Sequence, residues 1–223
     1  MFIGHFAVGF GAKRVAPEVS LGTFFLAAQL ADLVWPNLVL IGIERFEIQP
    51  GITRVTPLDF TYYPYSHSLV AALFWSVLAS LVYLAVKRGR VQAAVTVGVV
   101  VASHWVLDVV SHRPDMPLTL SSETRIGFGL WNSLGATIAV EFILFVIGLA
   151  LYLSVTAPKD NIGRYGLAGL ITFLLVINIL NLFGPPPPSV TAVAWSAQAM
   201  WLLVAWGYWV DRHREARASA VVV

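Results

Sequence analysis

From Val91 to Val110 the chain runs through 20 residues of which only His104 and Asp108 are ionisable. A helix of that length crosses the hydrocarbon core of a bilayer, so the stretch predicts a transmembrane span. An imidazole and a carboxylate inside such a span are expensive unless they face protein and find partners there. On a helix His104, Asp108 and His112 are spaced four apart and lie along one stripe. Imidazole and carboxylate aimed the same way are what a helix presents to a divalent metal. The same pair can serve as hydrogen-bonded glue between helices, and this stretch taken alone leaves both readings open.

The rest of the chain is of the same kind. Hydrophobic residues make up 58% of its 223 residues and charged residues 12%, far from the balance of an ordinary soluble domain. That length predicts an all-α, polytopic transmembrane bundle of about six spans plus a short N-terminal helix, folded as a single membrane domain over residues 1–223. There is no cysteine, so any metal must be held by nitrogen and oxygen. The net charge of +2 is small and the basic residues are scattered, so no nucleic-acid partner is expected; the expected partners are the bilayer and a molecule within it.

Residues 1–15 read as a short helix that re-enters the bilayer or lies at its interface, carrying His5 and followed by Lys13 and Arg14. Span one, about Ser20 to Ile43, carries Asp32, and Trp35-Pro36 is expected to bend or break it. Residues 44–65 form an outer loop. Ser66 or Ser68 is suited to cap span two, about Leu69 to Val86, which puts His67 in its first turn. Span three is the opening stretch. Span four, from Trp131-Asn132-Ser133 to about Val155, contains Glu141; span five is about Leu167 to Phe183 and span six about Val190 to Val210. Residues 211–223 read as a solvated tail.

Placing the turn Lys87 to Arg90 in the cytoplasm puts ten basic residues inside and four outside, namely Arg45, Arg54, Arg113 and Arg125, with both termini cytoplasmic. Span three then runs outward, and His67, His104, Asp108 and His112 fall in the outer half. Asp32 and Glu141 reach similar depth at a rise of about 1.5 Å per residue, and His5 joins them if the first helix is re-entrant. Each central carboxylate left unpaired costs on the order of 3 kcal/mol on insertion scales, which favours a divalent cation shared among these groups over separate structural polar pairs.

Gly4-His5, Leu30-Ala31-Asp32, Tyr65-Ser66-His67-Ser68 and Ser103-His104-Trp105-Val106-Leu107-Asp108 occur in that order. Over roughly Met1 to Asp115 the chain thereby resembles the bacterial multi-pass, membrane-bound metal-dependent hydrolases of the DUF457 family, the LexA-binding inner-membrane group. The resemblance implies that His5, Asp32, His67, His104 and Asp108 occupy metal-site positions and that the protein sits in the inner membrane. The chain departs from the family's pattern at Val34, where a second Asp is usual, and at Tyr62-Tyr63-Pro64, where the family has His-Arg-Gly. His112, Asp115 and Glu141 are available to compensate.

The expected metal set is therefore His5, Asp32, His67, His104, Asp108 and His112, with zinc first and manganese or iron as alternatives. The expected reaction is hydrolysis of an ester or phosphoester of a lipid or lipid-linked molecule, with Asp32 or Glu141 as general base and Arg113 holding a phosphate. No Gly-x-Ser-x-Gly stretch supports a serine hydrolase. A small metal-ion or proton transporter, or a non-enzymatic scaffold, is the alternative.

Overall fold

The computed structural model describes residues 1–121 and 123–217. The chain opens with α1 (Ile3–Ala12), α2 (Leu21–Ala28) and α3 (Leu30–Leu40), passes through an antiparallel hairpin of β1 (Arg45–Ile48) and β2 (Leu58–Tyr62), and makes one turn as α4 (Pro64–His67). The long helices α5 (Leu69–Val86) and α6 (Val91–Ser111) follow, then the two-residue strands β3 (Met116–Pro117) and β4 (Arg125–Ile126). After α7 (Leu134–Val155) come β5 (Thr156–Pro158), α8 (Asn161–Phe183), α9 (Val190–Ala197), α10 (Met200–Arg212) and β6 (Arg214–Ala216). Five helices are long and apolar enough to cross a membrane if α9 and α10 count as one, and six if the bent pair α2 and α3 is also one span, which fits a membrane protein.

Burial is uneven in a way that locates the centre. Of the apolar window of α6, 56% is buried, against 11% for α5, so α6 is the helix the others gather around and α5 is an outer one. Ala93, Ala94 and Gly98 give α6 its narrow face. A Cβ at Gly98 would collide with Ser80, and the Ser76 hydroxyl donates to the Gly98 carbonyl at 2.7 Å, the small-residue packing that membrane helices use.

α1 is only ten residues, about 15 Å at the usual rise and half the hydrocarbon thickness. Eight of the ten are buried, so α1 is not a helix lying along a surface; it is enclosed by the bundle, with Phe6 and Phe10 against Phe25, Phe145 and Tyr152. Gly148 of α7 permits this, since a Cβ there would meet the Ala7 backbone. Glu141 accepts from the backbone N–H groups of Ile3 at 2.9 Å and Gly4 at 3.4 Å, satisfying donors that a helix start leaves free. At the other end Lys13 donates to Pro17 and Val19 carbonyls and pairs with Asp211 at 2.9 Å.

Span one breaks earlier than Pro36 suggests. The axes of α2 and α3 meet at 53° around Gln29, while Pro36 lies within α3. Beside the break, the Ala28 carbonyl is met by the His104 side chain of α6 at 2.7 Å. His67 ends α4 and is not part of α5, because Ser68 is extended and caps α5 by accepting from Ala71 N–H at 3.0 Å. The predicted solvated tail is folded in its first part: β6 pairs with β5, and buried Arg214 donates to the Gly163 and Thr156 carbonyls. Residues 218–223 of that tail lie outside the described residues.

Candidate metal centre

Five of the predicted ligands converge. α6 supplies His104 and Asp108, α3 supplies Asp32 in its first turn, α4 ends in His67, and α1 brings His5, whose ring stacks on His104 with centroids 3.8 Å apart and planes 7° from parallel. Two groups of three have ligand atoms all within 4.8 Å of one another: His5, His104 and Asp108, and Asp32, His67 and His104. His104 belongs to both.

The two oxygens of Asp108 face different company. Oδ1 accepts from the Met1 amine at 2.8 Å and lies 3.0 Å from His5 Nε2. Oδ2 lies 3.0 Å from His104 Nε2 and 3.8 Å from His67 Nε2. Asp32 Oδ1 completes a quartet, 3.3 Å from His67 Nε2 and 3.8 Å from His104 Nε2. Donor atoms about 2.0–2.1 Å from one tetrahedral ion are about 3.3–3.4 Å apart, and the four His–Asp separations are of that scale.

The proton positions follow from what holds the far side of each ring. His104 Nδ1 is 2.7 Å from the Ala28 carbonyl, which can only accept, so Nδ1 carries a hydrogen and Nε2 is the nitrogen turned toward the carboxylates. That Nε2 lies 3.0 Å from Asp108 Oδ2. His67 Nδ1 is 2.7 Å from Ser66 Oγ, and Ser66 Oγ donates to Glu44 Oε2 at 2.6 Å. The quartet is thus two imidazole nitrogens and two carboxylate oxygens turned toward one another at short range, a donor set that fits a divalent cation.

Three expected members are not brought to the quartet. α6 ends at Ser111, and His112 with ψ 149° leaves the helical stripe; its Nδ1 bonds Asp115 at 2.9 Å. Tyr63 donates to the same Asp115 oxygen at 3.2 Å, and burial beside that carboxylate holds its phenol well above the ordinary value. Arg113 is engaged by Asp59 and by Asp115, so it ties the β1–β2 hairpin to the end of α6 and is not a free phosphate clamp. Glu141 is turned to the start of α1, which it caps, and does not join the quartet. Conversely, Glu44 and the Ala28 carbonyl were not among the sequence-level candidates. Comparison of the chain with family models, curated proteins and solved structures finds no match.

Proposed function

We propose that this chain is a membrane-embedded, metal-dependent hydrolase that cleaves an ester or phosphoester of a lipid or lipid-linked molecule. The observation that carries the reading is the quartet: Nε2 of His67 and of His104 each lie 3.0 to 3.8 Å from carboxylate oxygens of Asp32 and Asp108. The carboxylates of Asp32 and Asp108 converge on the same two imidazoles, and a shared divalent cation would neutralise their charge. His67, His104, Asp108 and Asp32 would hold the ion, with zinc the best match to two imidazoles and two carboxylates; manganese and iron accept the same donors. When bound, such an ion lowers the pKa of water and polarises a scissile oxygen.

The residues around the quartet divide the remaining work. Asp32 has 31% of its side chain exposed while His67 is 4% exposed, so Asp32 is the group able to take a proton from an incoming water. His5, stacked on His104 and bonded to Asp108, keeps that ring and carboxylate in register. A small void of about 10 Å³ is lined by Ser66, His67, Trp75, Val101, His104 and Trp105, and its surface is apolar. Its apolar wall, and the lipid-length helices around it, support a substrate drawn from the bilayer.

The protein is proposed to lie in the inner membrane with the Lys13–Arg14 end of α1 and the C-terminal tail on the cytoplasmic side, on the ten-to-four basic asymmetry; the Met1 amine itself is buried against Asp108 and is not in the cytoplasm as the charge count alone suggested. The absence of cysteine makes labelling clean: a cysteine at Ser189 is expected to react with an impermeant reagent from the outer face only, and reaction from the cytoplasmic face alone would reverse the orientation. For the activity, lipid extracts incubated with purified protein are expected to yield a hydrolytic product that a chelator abolishes and added zinc restores. Full product formation after chelation would sink the metal-dependent reading. The break at Gln29 is also a feature of transporters. Proton- or metal-driven uptake into proteoliposomes with no hydrolytic product would select that second reading.

A further inference from the structure

We infer that Glu44 is a positioning residue that acts through Ser66 to hold the proton on His67 Nδ1, leaving Nε2 free to coordinate; the role rests on the metal centre proposed above. Glu44 is 1% exposed and lies in the turn just before β1. Pairing of Arg45 with Tyr62 in the hairpin lays Glu44 against the start of α4. There Oε1 accepts from the backbone N–H groups of Tyr65 at 2.8 Å and Ser66 at 2.9 Å, which anchors the helix turn that ends in His67.

Its other oxygen, Oε2, is 2.6 Å from Ser66 Oγ, a short charge-assisted contact in which the hydroxyl must donate. A hydroxyl has one proton. With that proton committed to Glu44, Ser66 Oγ meets His67 Nδ1 at 2.7 Å only as an acceptor, so the imidazole hydrogen sits on Nδ1. The carboxylate is therefore linked to the ring by two successive hydrogen bonds, and it raises the basicity of Nε2 as an outer carboxylate does for a metal-bound histidine. His104 is oriented by the neutral Ala28 carbonyl, so the two ligand rings are tuned differently: His67 is the more electron-rich.

The test uses full-length protein in detergent, prepared free of metal, with ¹⁵N-labelled histidine and the His67 signals assigned by comparison with His67→Asn. In wild type His67 is expected in the Nδ1–H form; in Ser66→Ala that preference is expected to be lost, and in Ser66→Thr, which keeps the hydroxyl, to be retained. In zinc competition against a chromophoric chelator, Ser66→Ala is expected to bind about 10–100-fold more weakly than wild type and Ser66→Thr as wild type. Glu44→Gln, which keeps the shape but not the charge, is expected to weaken binding in the same direction. A proton on His67 Nε2 in the metal-free wild type, or Ser66→Ala binding zinc as tightly as wild type, would overturn the relay. The two readouts separate the claims: loss of the tautomer preference in Ser66→Ala with no zinc bound by wild type supports the relay and sinks the centre, whereas tight zinc binding unaffected by Ser66→Ala does the reverse.

Discussion

Asp32→Asn is expected to lower hydrolysis by about 10²- to 10⁴-fold while the protein keeps its metal, the range for losing a general base. The reasoning starts from the α2–α3 break. Had the helix run straight through Gln29, the first turn of α3 would point elsewhere; the 53° bend brings Asp32 Oδ1 to within 3.3 Å of His67 and 3.8 Å of His104. Around the quartet, His67, His104 and Asp108 are 3 to 4% exposed in their side chains, and Asp32, at 31%, is the most accessible of the four. Asparagine has nearly the same shape and keeps a carbonyl oxygen that can coordinate, but it cannot accept a proton at neutral pH. Hydrolysis and metal content measured on the same preparations check this. Unchanged hydrolysis would remove Asp32 as base, and metal loss as complete as in an Asp108 variant would make it purely a ligand.

Much of this site was legible in the sequence because its key residues lie in regular helices. His104 and Asp108 are four apart within one long apolar run, so their common direction follows from helix geometry alone. Depth counting brought Asp32, His67 and His5 to the same level, since rise per residue converts position to height. It gave no azimuth, and Glu141 shows the consequence: its side chain faces α1 and caps it. His112 continues the four-residue spacing on paper, but the helix ends one residue before it, and the pairing with Asp115 and Tyr63 takes over. Pro36 misled in the same manner. A proline is a strong local breaker, yet the break lies at Gln29, where the Ala28 carbonyl meets His104 of another helix, a contact that local sequence does not reveal.

Glu44 was hidden for a different reason. Its partners Tyr65 and Ser66 are more than twenty residues away, and the link depends on the β1–β2 register. The signal available was the alternation in Arg45–Ile48 and Leu58–Tyr62, where Phe46 and Phe60 point to the core beneath Trp35. Read as a hairpin, and not as an irregular loop, residues 44–65 would have placed Glu44 opposite the start of α4.

The central claim is that the quartet exists to hold a cation. Asp108 is the group on which it turns, because both of its oxygens are used and its side chain is 3% exposed, between His5, His104, His67 and the Met1 amine. An ionised carboxylate held that deeply needs positive charge beside it: the Met1 ammonium meets Oδ1 at 2.8 Å, and the proposed cation would meet Oδ2 and Asp32. His104 contributes the nitrogen shared by both three-residue groups, so replacing it with Asp108 removes a donor from each. Elemental analysis of wild type beside the His104→Ala, Asp108→Ala double variant tests this most directly, with circular dichroism and size exclusion showing that the variant remains folded. The expected result is about one divalent ion, zinc foremost, per wild-type chain and none above background in the variant. Equal metal content in the two, whether full or absent, would contradict it.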